Sequence, residues 1–338
     1  MSDTRYLLLA EGSSADPHYA KTARGVLRYR RDDVVAILDS TRAGEVDEGV
    51  PVVGSVDDSL RFKPTTALVG VVTDGGRFPP AWREILKSCI GAGLNIENGL
   101  HVFLADDPEL AALAARHKVE LRDLRRPPAD LSTATGANLD VPGTIVLTVG
   151  SDCAIGKMTV SLELDREARS RGLHSIFVPT GQTGIAIAGW GIAVDAVVAD
   201  FIAGAAERLV VEGSERGGEL LWVEGQGAIL HPVYSGVTLG LYHGAVPHLL
   251  VLCHEAGVTE ILGAGGGPHL IPPLRELVDL HERLALPARP AKVAAVALNT
   301  MNAPKLKAIS SAWIRRSSDR PAMVCFTTSN CPVWTVMS

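Results

Sequence analysis

The stretch that most constrains the fold is residues 144–159, TIVLTVGSDCAIGKMT in one-letter code. An apolar run leads into a loop bounded by Gly150 and Gly156, and Lys157 follows at the start of a segment of good helix formers. Glycines let the backbone turn tightly so that its N–H groups converge, and the start of a helix adds positive potential at the same point. The stretch therefore predicts a strand, a phosphate-binding loop and a helix, with an anionic diphosphate as the ligand.

The predicted loop departs from the usual phosphate-binding pattern at two positions. Five residues separate Gly150 from Gly156, one more than is common, and Met158 stands where Ser or Thr normally offers a hydroxyl to magnesium. Thr159, the next residue, can replace that hydroxyl. The alternative interpretation is an ordinary turn between a strand and a helix. The predicted cofactor-binding residues here are Gly150, Ser151, Asp152, Cys153, Ala154, Ile155, Gly156, Lys157, Met158 and Thr159.

Composition narrows the class of protein. The chain has 338 residues, which is room for two domains, and 46% of them are hydrophobic against 21% charged, the profile of a folded soluble protein. The net charge of -6 argues against nucleic acid as a partner. The apolar region 173–211 is interrupted by glycine and aspartate, and the N-terminus lacks the layout of a signal peptide. We expect no membrane span and no membrane partner.

The five cysteines are scattered without a C-x-x-C pair, so neither a disulfide framework nor a zinc knuckle is indicated. The histidines that follow the later apolar runs lack a zinc-binding spacing, and no metal cluster is predicted from them. A reducing, cytoplasmic location fits this cysteine usage.

Apolar runs alternate with helical stretches along most of the chain, which predicts an α/β fold with parallel sheets. We expect a Rossmann-like domain over residues 1–125, a linker over 126–142 where breakers replace the periodicity, and a P-loop domain over 143–310. Residues 311–338 have no clean period and form an atypical tail.

The first domain lacks a dinucleotide fingerprint. The loop after its first strand, residues 11–16, contains no G-x-G-x-x-G, although Asp39 stands where a ribose-binding acid would be. We therefore favour a scaffold for substrate binding or assembly over a cofactor site in this domain.

Polar residues that follow strands of the second domain should gather on one rim of its sheet. Glu224 comes directly after the apolar run 220–223 and is a candidate for binding magnesium or acting as a base, the alternative being a turn cap. Asp200 also ends an apolar run and is a candidate for sharing the metal ion or binding the substrate's amine, the alternative being an N-cap for the helix that starts at Phe201. His231 is the favoured general base, ahead of His243, His254 and Glu255. The predicted catalytic residues are His231, Glu224 and Asp200.

Smaller polar groups complete the predicted site. Thr180, Gln182 and Thr183 lie in a glycine loop and are suited to binding a substrate carboxylate or amide. Asn299 ends the last clear strand and is placed to contact an adenine. Thr159 and Glu224 are the predicted metal ligands if magnesium is used. Cys153 is more consistent with packing within the loop than with a nucleophile.

Four motifs carry a family resemblance. Two of them, the loop with its extra residue and the sequence VEGQG at 223–227, resemble the dethiobiotin synthetase branch of P-loop proteins, whose Glu-Gly motif binds magnesium. A closer similarity covers roughly residues 5–300. The motifs at 150–159, 179–185, 195–207 and 224–232 together resemble a two-domain bacterial family associated with D-glutamate N-acetyltransferase activity, in which a methionine also follows the lysine.

The resemblance implies a P-loop that binds the diphosphate of acetyl-CoA while an acidic amino acid, D-glutamate, accepts the acetyl group on its amine. The competing enzyme hypothesis keeps ATP and Mg²⁺ in the loop and activates a carboxylate by phosphorylation. A third hypothesis is a nucleotide-binding module without catalysis. We expect a small-molecule amino-acid substrate and a homo-oligomer.

Overall fold

The computed structural model describes residues 4–16, 19–72, 81–263 and 267–300, and the backbone of two further strands at Ala322–Phe326 and Thr335–Met337. The chain divides into two compact units. The amino-terminal unit contains Met1–Pro128 and Gly181–Ala196, and the carboxyl-terminal unit contains Ala129–Thr180 and Val197–Ser338. The predicted α/β class is confirmed in both.

The amino-terminal unit contains a seven-stranded sheet in the order β3-β4-β2-β1-β5-β6-β7. Its strands are β1 (Tyr6–Leu9), β2 (Val34–Leu38), β3 (Val46–Asp47), β4 (Val50–Val53), β5 (Thr66–Val69), β6 (Asn95–Asn98) and β7 (Leu121–Asp123). Its helices are α1 (Lys21–Tyr29), α2 (Val56–Ser59), α3 (Trp82–Gly91), α4 (Pro108–His117) and α6 (Gln182–Ala188).

Pairing in this sheet is parallel except at one edge, where β3 and β4 form an antiparallel hairpin. The two residues of its turn, Glu48 and Gly49, have positive φ angles of 48° and 78°. A two-residue turn of this hand matches the twist of an antiparallel pair, so a hairpin forms where the sequence predicted only parallel strands.

The amino-terminal core includes a segment from late in the sequence. All four residues of β1 are buried, as expected for a strand covered on both faces. Ile185, Ala186 and Ala193 belong to the same buried cluster, so residues 181–196 contribute to a core whose other members precede residue 125. Arg30 Nη1 donates to the carbonyl of Ala186 at 3.1 Å, at the end of α6.

The carboxyl-terminal unit is built on a second seven-stranded sheet, in the order β14-β13-β12-β11-β8-β10-β9. Its strands are β8 (Thr144–Gly150), β9 (Ser175–Val178), β10 (Leu220–Val223), β11 (Leu249–Glu255), β12 (Lys292–Asn299), β13 (Ala322–Phe326) and β14 (Thr335–Met337). Its helices are α5 (Lys157–Ser170), α7 (Ile202–Glu215), α8 (Ser235–Ala245) and α9 (Leu274–Arg283). All pairs are parallel except β13 with β14.

The segment that leads into β8 is fixed to the carboxyl-terminal unit. The buried carboxylate of Glu207 on α7 accepts hydrogen bonds from the backbone N–H groups of Thr135 and Gly136 and from the Thr135 hydroxyl. Asn138 Nδ2 donates to the carbonyl of Gly244 at 2.6 Å. Most of the predicted tail, residues 311–338, lies outside the described residues.

Among the helices in the described ranges, none is both long enough and apolar enough to cross a membrane.

Candidate functional site

The loop between β8 and α5 has the conformation of an anion-binding concavity. A Cβ on Gly150 would lie 2.8 Å from Ile155 Cδ1 and 3.2 Å from both Lys157 Cδ and the Asp152 carbonyl oxygen, so a larger residue there would displace atoms of the loop. Ala154 and Gly156 have positive φ angles of 55° and 108°. Alternation of left- and right-handed backbone turns successive N–H groups toward one point, and the first N–H groups of α5 lack partners within the helix. The predicted strand, loop and helix are confirmed.

Lys157 places a buried cation at this point. Lys157 is only 6% exposed, and its Nζ donates to the carbonyl oxygen of Asp152, within the same loop, at 2.7 Å. An ammonium group beside converging N–H groups at the start of a helix is suited to binding a diphosphate.

Two side chains of the loop are fixed by hydrogen bonds. Ser151 Oγ lies 2.8 Å from Nδ1 of His254, near the end of the neighbouring strand β11. Burial lowers the pKa of His254, so its neutral ring is favoured. Asp152 accepts from the N–H of Cys153 through Oδ1 and from that of Leu262 through Oδ2. These hydrogen bonds stabilise the conformation of the loop.

Glu224 follows β10 and is 4% exposed. Its Oε2 accepts from the N–H of Thr180 at 3.0 Å, and its carbonyl accepts from Thr180 Oγ1 at 2.6 Å. A Cβ on Gly225 would lie 1.8 Å from the carbonyl oxygen of Thr148 and 3.1 Å from Lys157 Cδ. Because Gly225 has no side chain, the backbone next to Glu224 packs against β8 and against the side chain of Lys157.

His231 lies beside the loop. It is 2% exposed, and its Nδ1 accepts from the N–H of Val233 at 3.2 Å. A hydrogen bond received at Nδ1 leaves the proton of a neutral imidazole on Nε2. His231 is therefore prepared to donate a hydrogen bond from Nε2.

Three groups of the types that bind metals converge here, although no metal cluster was predicted from the histidine spacing. Ligand atoms of Asp152, Cys153 and His231 lie within 4.8 Å of one another. A metal-bound histidine normally donates its second ring N–H to an acceptor, whereas Nδ1 of His231 receives an N–H. The arrangement fits a hydrogen-bond donor beside an anion better than a metal ligand.

The remaining predicted site residues lie in several places. Thr180 accepts from Gln226 Nε2 at 3.1 Å in addition to its contacts with Glu224. Asn299 ends β12, and its carbonyl accepts from the N–H of Ala256. Asp200 is exposed in a short 3₁₀ turn before α7, and its side chain does not cap that helix. Thr159 lies half-buried in the first turn of α5, and its magnesium role stays a prediction.

Gln182 and Thr183 belong to the amino-terminal unit. Gln182 Oε1 accepts from Arg125 Nη1 at 3.1 Å, and the hydroxyls of Thr183 and Thr22 lie 2.9 Å apart. The predicted contact of Gln182 and Thr183 with substrate is therefore a contact of the amino-terminal unit. Arg125, which hydrogen-bonds to Gln182 there, is not among the residues predicted from the sequence.

Asp39, the acid in a ribose-binding position, is engaged by its own domain. It accepts from the N–H groups of Gly12 and Ser14 and from the hydroxyls of Ser14 and Thr41. Burial alone would raise the pKa of Asp39, but these hydrogen bonds outweigh it and lower the pKa. Since Asp39 accepts the N–H groups that a dinucleotide would need, the contacts agree with a scaffold in this domain.

Comparisons with known proteins agree with this architecture. A protein named D-glutamate N-acetyltransferase from Tritonibacter scottomollicae is 35% identical over 311 residues, which span 92% of this chain and 91% of the relative. One with the same name from a Pseudoalteromonas species is 36% identical over 256 residues, spanning 76% of this chain and 75% of the relative. The crystal structure of a DUF1611 family protein from Anabaena variabilis is 40% identical, has a TM-score of 0.80 and covers 88% of each chain.

Family-level similarity extends over both units. Residues 39–127 match the Rossmann-like domain, and residues 132–330 the P-loop domain, of the domain of unknown function DUF1611. Taken with the geometry of the loop after β8, these matches show that the chain belongs to the DUF1611 family.

Proposed function

We propose that this protein transfers the acetyl group of acetyl-CoA to the amine of D-glutamate. The observation that carries the proposal is the name shared by two relatives at 35% and 36% identity, one of which is aligned over 92% of this chain. The phosphate-binding loop supports it, because coenzyme A carries an adenosine diphosphate group that such a loop can bind.

Donor binding is assigned to the loop after β8. The N–H groups of residue 152 and residues 154–157 and the ammonium of Lys157 hold the diphosphate, whereas the N–H of Cys153 donates to Asp152 Oδ1. Asn299, at the end of β12, lies at the carboxyl edge of the same sheet and is assigned to the adenine. Lys157 would exchange its hydrogen bond with the Asp152 carbonyl for one with a phosphate oxygen.

Acetyl transfer needs a base for the amine and a donor for the developing oxyanion. In this proposal Glu224 takes the ammonium proton of the acceptor, the amine nitrogen forms a bond to the thioester carbonyl carbon, and the C–S bond breaks. The nitrogen loses a second proton as the amide forms, and the departing thiolate takes up that proton to give free coenzyme A. His231 donates from Nε2 to the carbonyl oxygen as negative charge develops there, because Nδ1 is occupied by the N–H of Val233.

The dimensions of the donor constrain this assignment. The pantetheine arm has the length of about four to five extended residues, roughly 15 Å. The backbone next to Glu224 lies against the side chain of Lys157, which holds the diphosphate. The proposal therefore requires the arm to fold back toward the loop.

The direct test is thiol release from acetyl-CoA. The full-length protein is incubated with acetyl-CoA and D-glutamate, and free thiol and N-acetylglutamate are measured. We expect release that depends on D-glutamate and is much slower with L-glutamate. No thiol release with any acidic amino acid would refute the proposal.

The competing activity is ATP-dependent activation of a carboxylate. It is favoured by one observation, the carboxylate of Glu224 at the end of a strand adjoining β8, an arrangement that P-loop enzymes use to bind Mg²⁺. Phosphate release from ATP that requires Mg²⁺, without thiol release, would establish this activity instead. Binding of either donor without turnover would indicate a nucleotide-binding module.

A further inference from the structure

Arg125 is a buried cation at the carboxyl edge of the amino-terminal sheet. It comes two residues after the end of β7, and its side chain is 3% exposed. Ligands of open α/β sheets bind at this edge. A guanidinium withdrawn from water needs partners for its charge and for its five N–H donors.

The structure satisfies one side of this guanidinium. Arg125 Nη1 donates to Asp195 Oδ2 at 2.9 Å and to Gln182 Oε1 at 3.1 Å. Nε is buried and has no hydrogen-bond partner, and both hydrogen bonds that Arg125 donates to Gln182 and Asp195 come from Nη1. Nε and Nη2 form one parallel edge of the planar group, which fits the two oxygens of a carboxylate.

Arg83 in the same unit shows what a purely structural arginine looks like. Its Nε, Nη1 and Nη2 all donate to the carboxylates of Asp107 and Glu109, at distances of 2.6 to 3.1 Å. Arg83 is 35% exposed, so water could have satisfied it. Arg125 is far less exposed and yet has an unmatched edge, and a buried donor without an acceptor costs about 1–3 kcal/mol.

Among the described residues, no carboxylate is hydrogen-bonded to the Nε and Nη2 edge of Arg125. Burial lowers the pKa of His101, the positive charge of Arg125 lowers it further and the negative charge of Asp195 raises it, so His101 lies within electrostatic range of this pair. Asp123, the nearest acid on β7, is turned to other donors, the N–H groups of Leu104 and Ala105. Asp195 is the single carboxylate that Arg125 contacts among the described residues.

We propose that the Nε and Nη2 edge of Arg125 binds a carboxylate of a small acidic ligand of the glutamate or glutarate type, with Gln182 and Asp195 holding the guanidinium by Nη1. This inference goes beyond the proposed function, because it concerns a carboxylate site within the amino-terminal unit alone. Gln182 then acts as a positioning residue rather than a direct ligand of the carboxylate.

The first experiment measures binding to the full-length protein by calorimetry, with D-glutamate and glutarate as probes. Glutarate has both carboxylates but no amine, and D-glutamine lacks the side-chain carboxylate, so the three compounds show which carboxylate Arg125 holds. We expect R125K, which keeps the charge but loses the fork, to weaken D-glutamate and glutarate at least about tenfold. R126Q is the matched control, because Arg126 is 42% exposed and pairs with Asp106 at the surface. It should leave affinity unchanged.

A second measurement avoids the risk that an Arg125 variant fails to fold. In the unaltered protein the arginine Nε–H resonances are followed by NMR during titration with glutarate, and that of Arg125 is identified by its absence from R125K or, if that variant is unfolded, by segmental labelling. We expect the Arg125 Nε–H signal to shift at saturation and its exchange with water to slow. A signal that does not move, a folded R125K with full affinity, or no binding of either probe at millimolar concentration would overturn the inference.

The outcome is separable from that of the proposed function. Carboxylate binding that depends on Arg125 without thiol release from acetyl-CoA would refute the acetyltransferase and leave the carboxylate site. Normal thiol release together with unchanged affinity for D-glutamate in R125K would refute the carboxylate site and leave the acetyltransferase.

Discussion

Lys157 Nζ donates to the carbonyl oxygen of Asp152 at 2.7 Å, so the lysine of the phosphate-binding loop is held by the backbone of that loop. The bond keeps the ammonium within the loop and gives a buried cation an acceptor. A phosphate oxygen that replaces the carbonyl carries a full negative charge and makes the stronger hydrogen bond.

Replacing Lys157 by alanine should therefore weaken donor binding. A charge-assisted hydrogen bond of about 1.5–3 kcal/mol corresponds to a loss of roughly 10- to 150-fold in affinity. Calorimetry with acetyl-CoA, and separately with ATP, measures it. K292A is the control, because Lys292 begins β12 at the opposite edge of the sheet and pairs with Glu282 at the surface. Equal affinities for K157A and the unaltered protein would remove the loop from the donor site.

The close approach of Gly225 to β8 predicts a second effect. In G225A the new Cβ would meet the Thr148 carbonyl oxygen at 1.8 Å, and backbone cannot move aside as a flexible side chain can. We expect the free energy of unfolding to fall by about 2–3 kcal/mol and donor binding to be lost, since Lys157 Cδ lies on the same side. Thermal unfolding and calorimetry report the two effects.

Gly236 offers the matched substitution. A Cβ there meets nothing within 4 Å in α8, and alanine favours a helix over glycine by about 0.5–1 kcal/mol. G236A should be neutral or slightly stabilising. If G225A were as stable as G236A and bound the donor normally, the contact between β8 and the residue after Glu224 would not be close.

Glutamine at position 224 tests the assigned base. E224Q keeps an oxygen for the N–H of Thr180 but cannot take up a proton, so kcat should fall by about 10²- to 10⁴-fold with little change in KM for acetyl-CoA. E212Q is the control, because it alters a half-buried carboxylate of α7 that pairs with Arg216. If E224Q instead raised the KM for acetyl-CoA and left kcat normal, Glu224 would lie at the diphosphate end of the donor, and the pantetheine arm would be extended.

Local patterns explain how much of this architecture the sequence predicted. The strand, loop and helix around Gly156 depend on residues that are neighbours in the chain, and so do the alternating runs that predicted the α/β class. The acid at the end of β10 was visible for the same reason. Each of these features can be predicted from the hydrophobic periodicity of one helix or strand and from the residue type that ends it.

Features that depend on distant contacts were not predicted. Arg125 is followed by Arg126 and two prolines, and this pattern predicts the end of a domain. The partners of Arg125, Gln182 and Asp195, lie 57 and 70 residues further on, so the neighbouring sequence does not indicate them. The glycine loop around Gly181 gave no indication that residues 181–196 join the core of the other unit. Position at the carboxyl end of a strand was the one local sign that Arg125 carried.

A buried histidine of α9 predicts how stability depends on pH. His281 is 1% exposed, Nδ1 lies 2.7 Å from the carbonyl of Leu277, and Nε2 is buried without a hydrogen-bond partner. Burial lowers the pKa of His281, because the charged ring would lose its hydration. Folded protein therefore binds the proton less readily than unfolded protein, whose histidines titrate near 6.5.

The contribution of His281 to stability is present above pH of about 6.5 and is lost as the pH falls below it, at up to about 1.4 kcal/mol per pH unit for one proton. Denaturant unfolding between about pH 7 and pH 5 should show this slope. H281L should reduce the slope without abolishing it, because burial also lowers the pKa values of His248 and His254. H174Q, at a histidine whose side chain is 73% exposed, should leave it unchanged. An identical slope in H281L and the unaltered protein would mean that His281 takes up its proton equally well in the folded state.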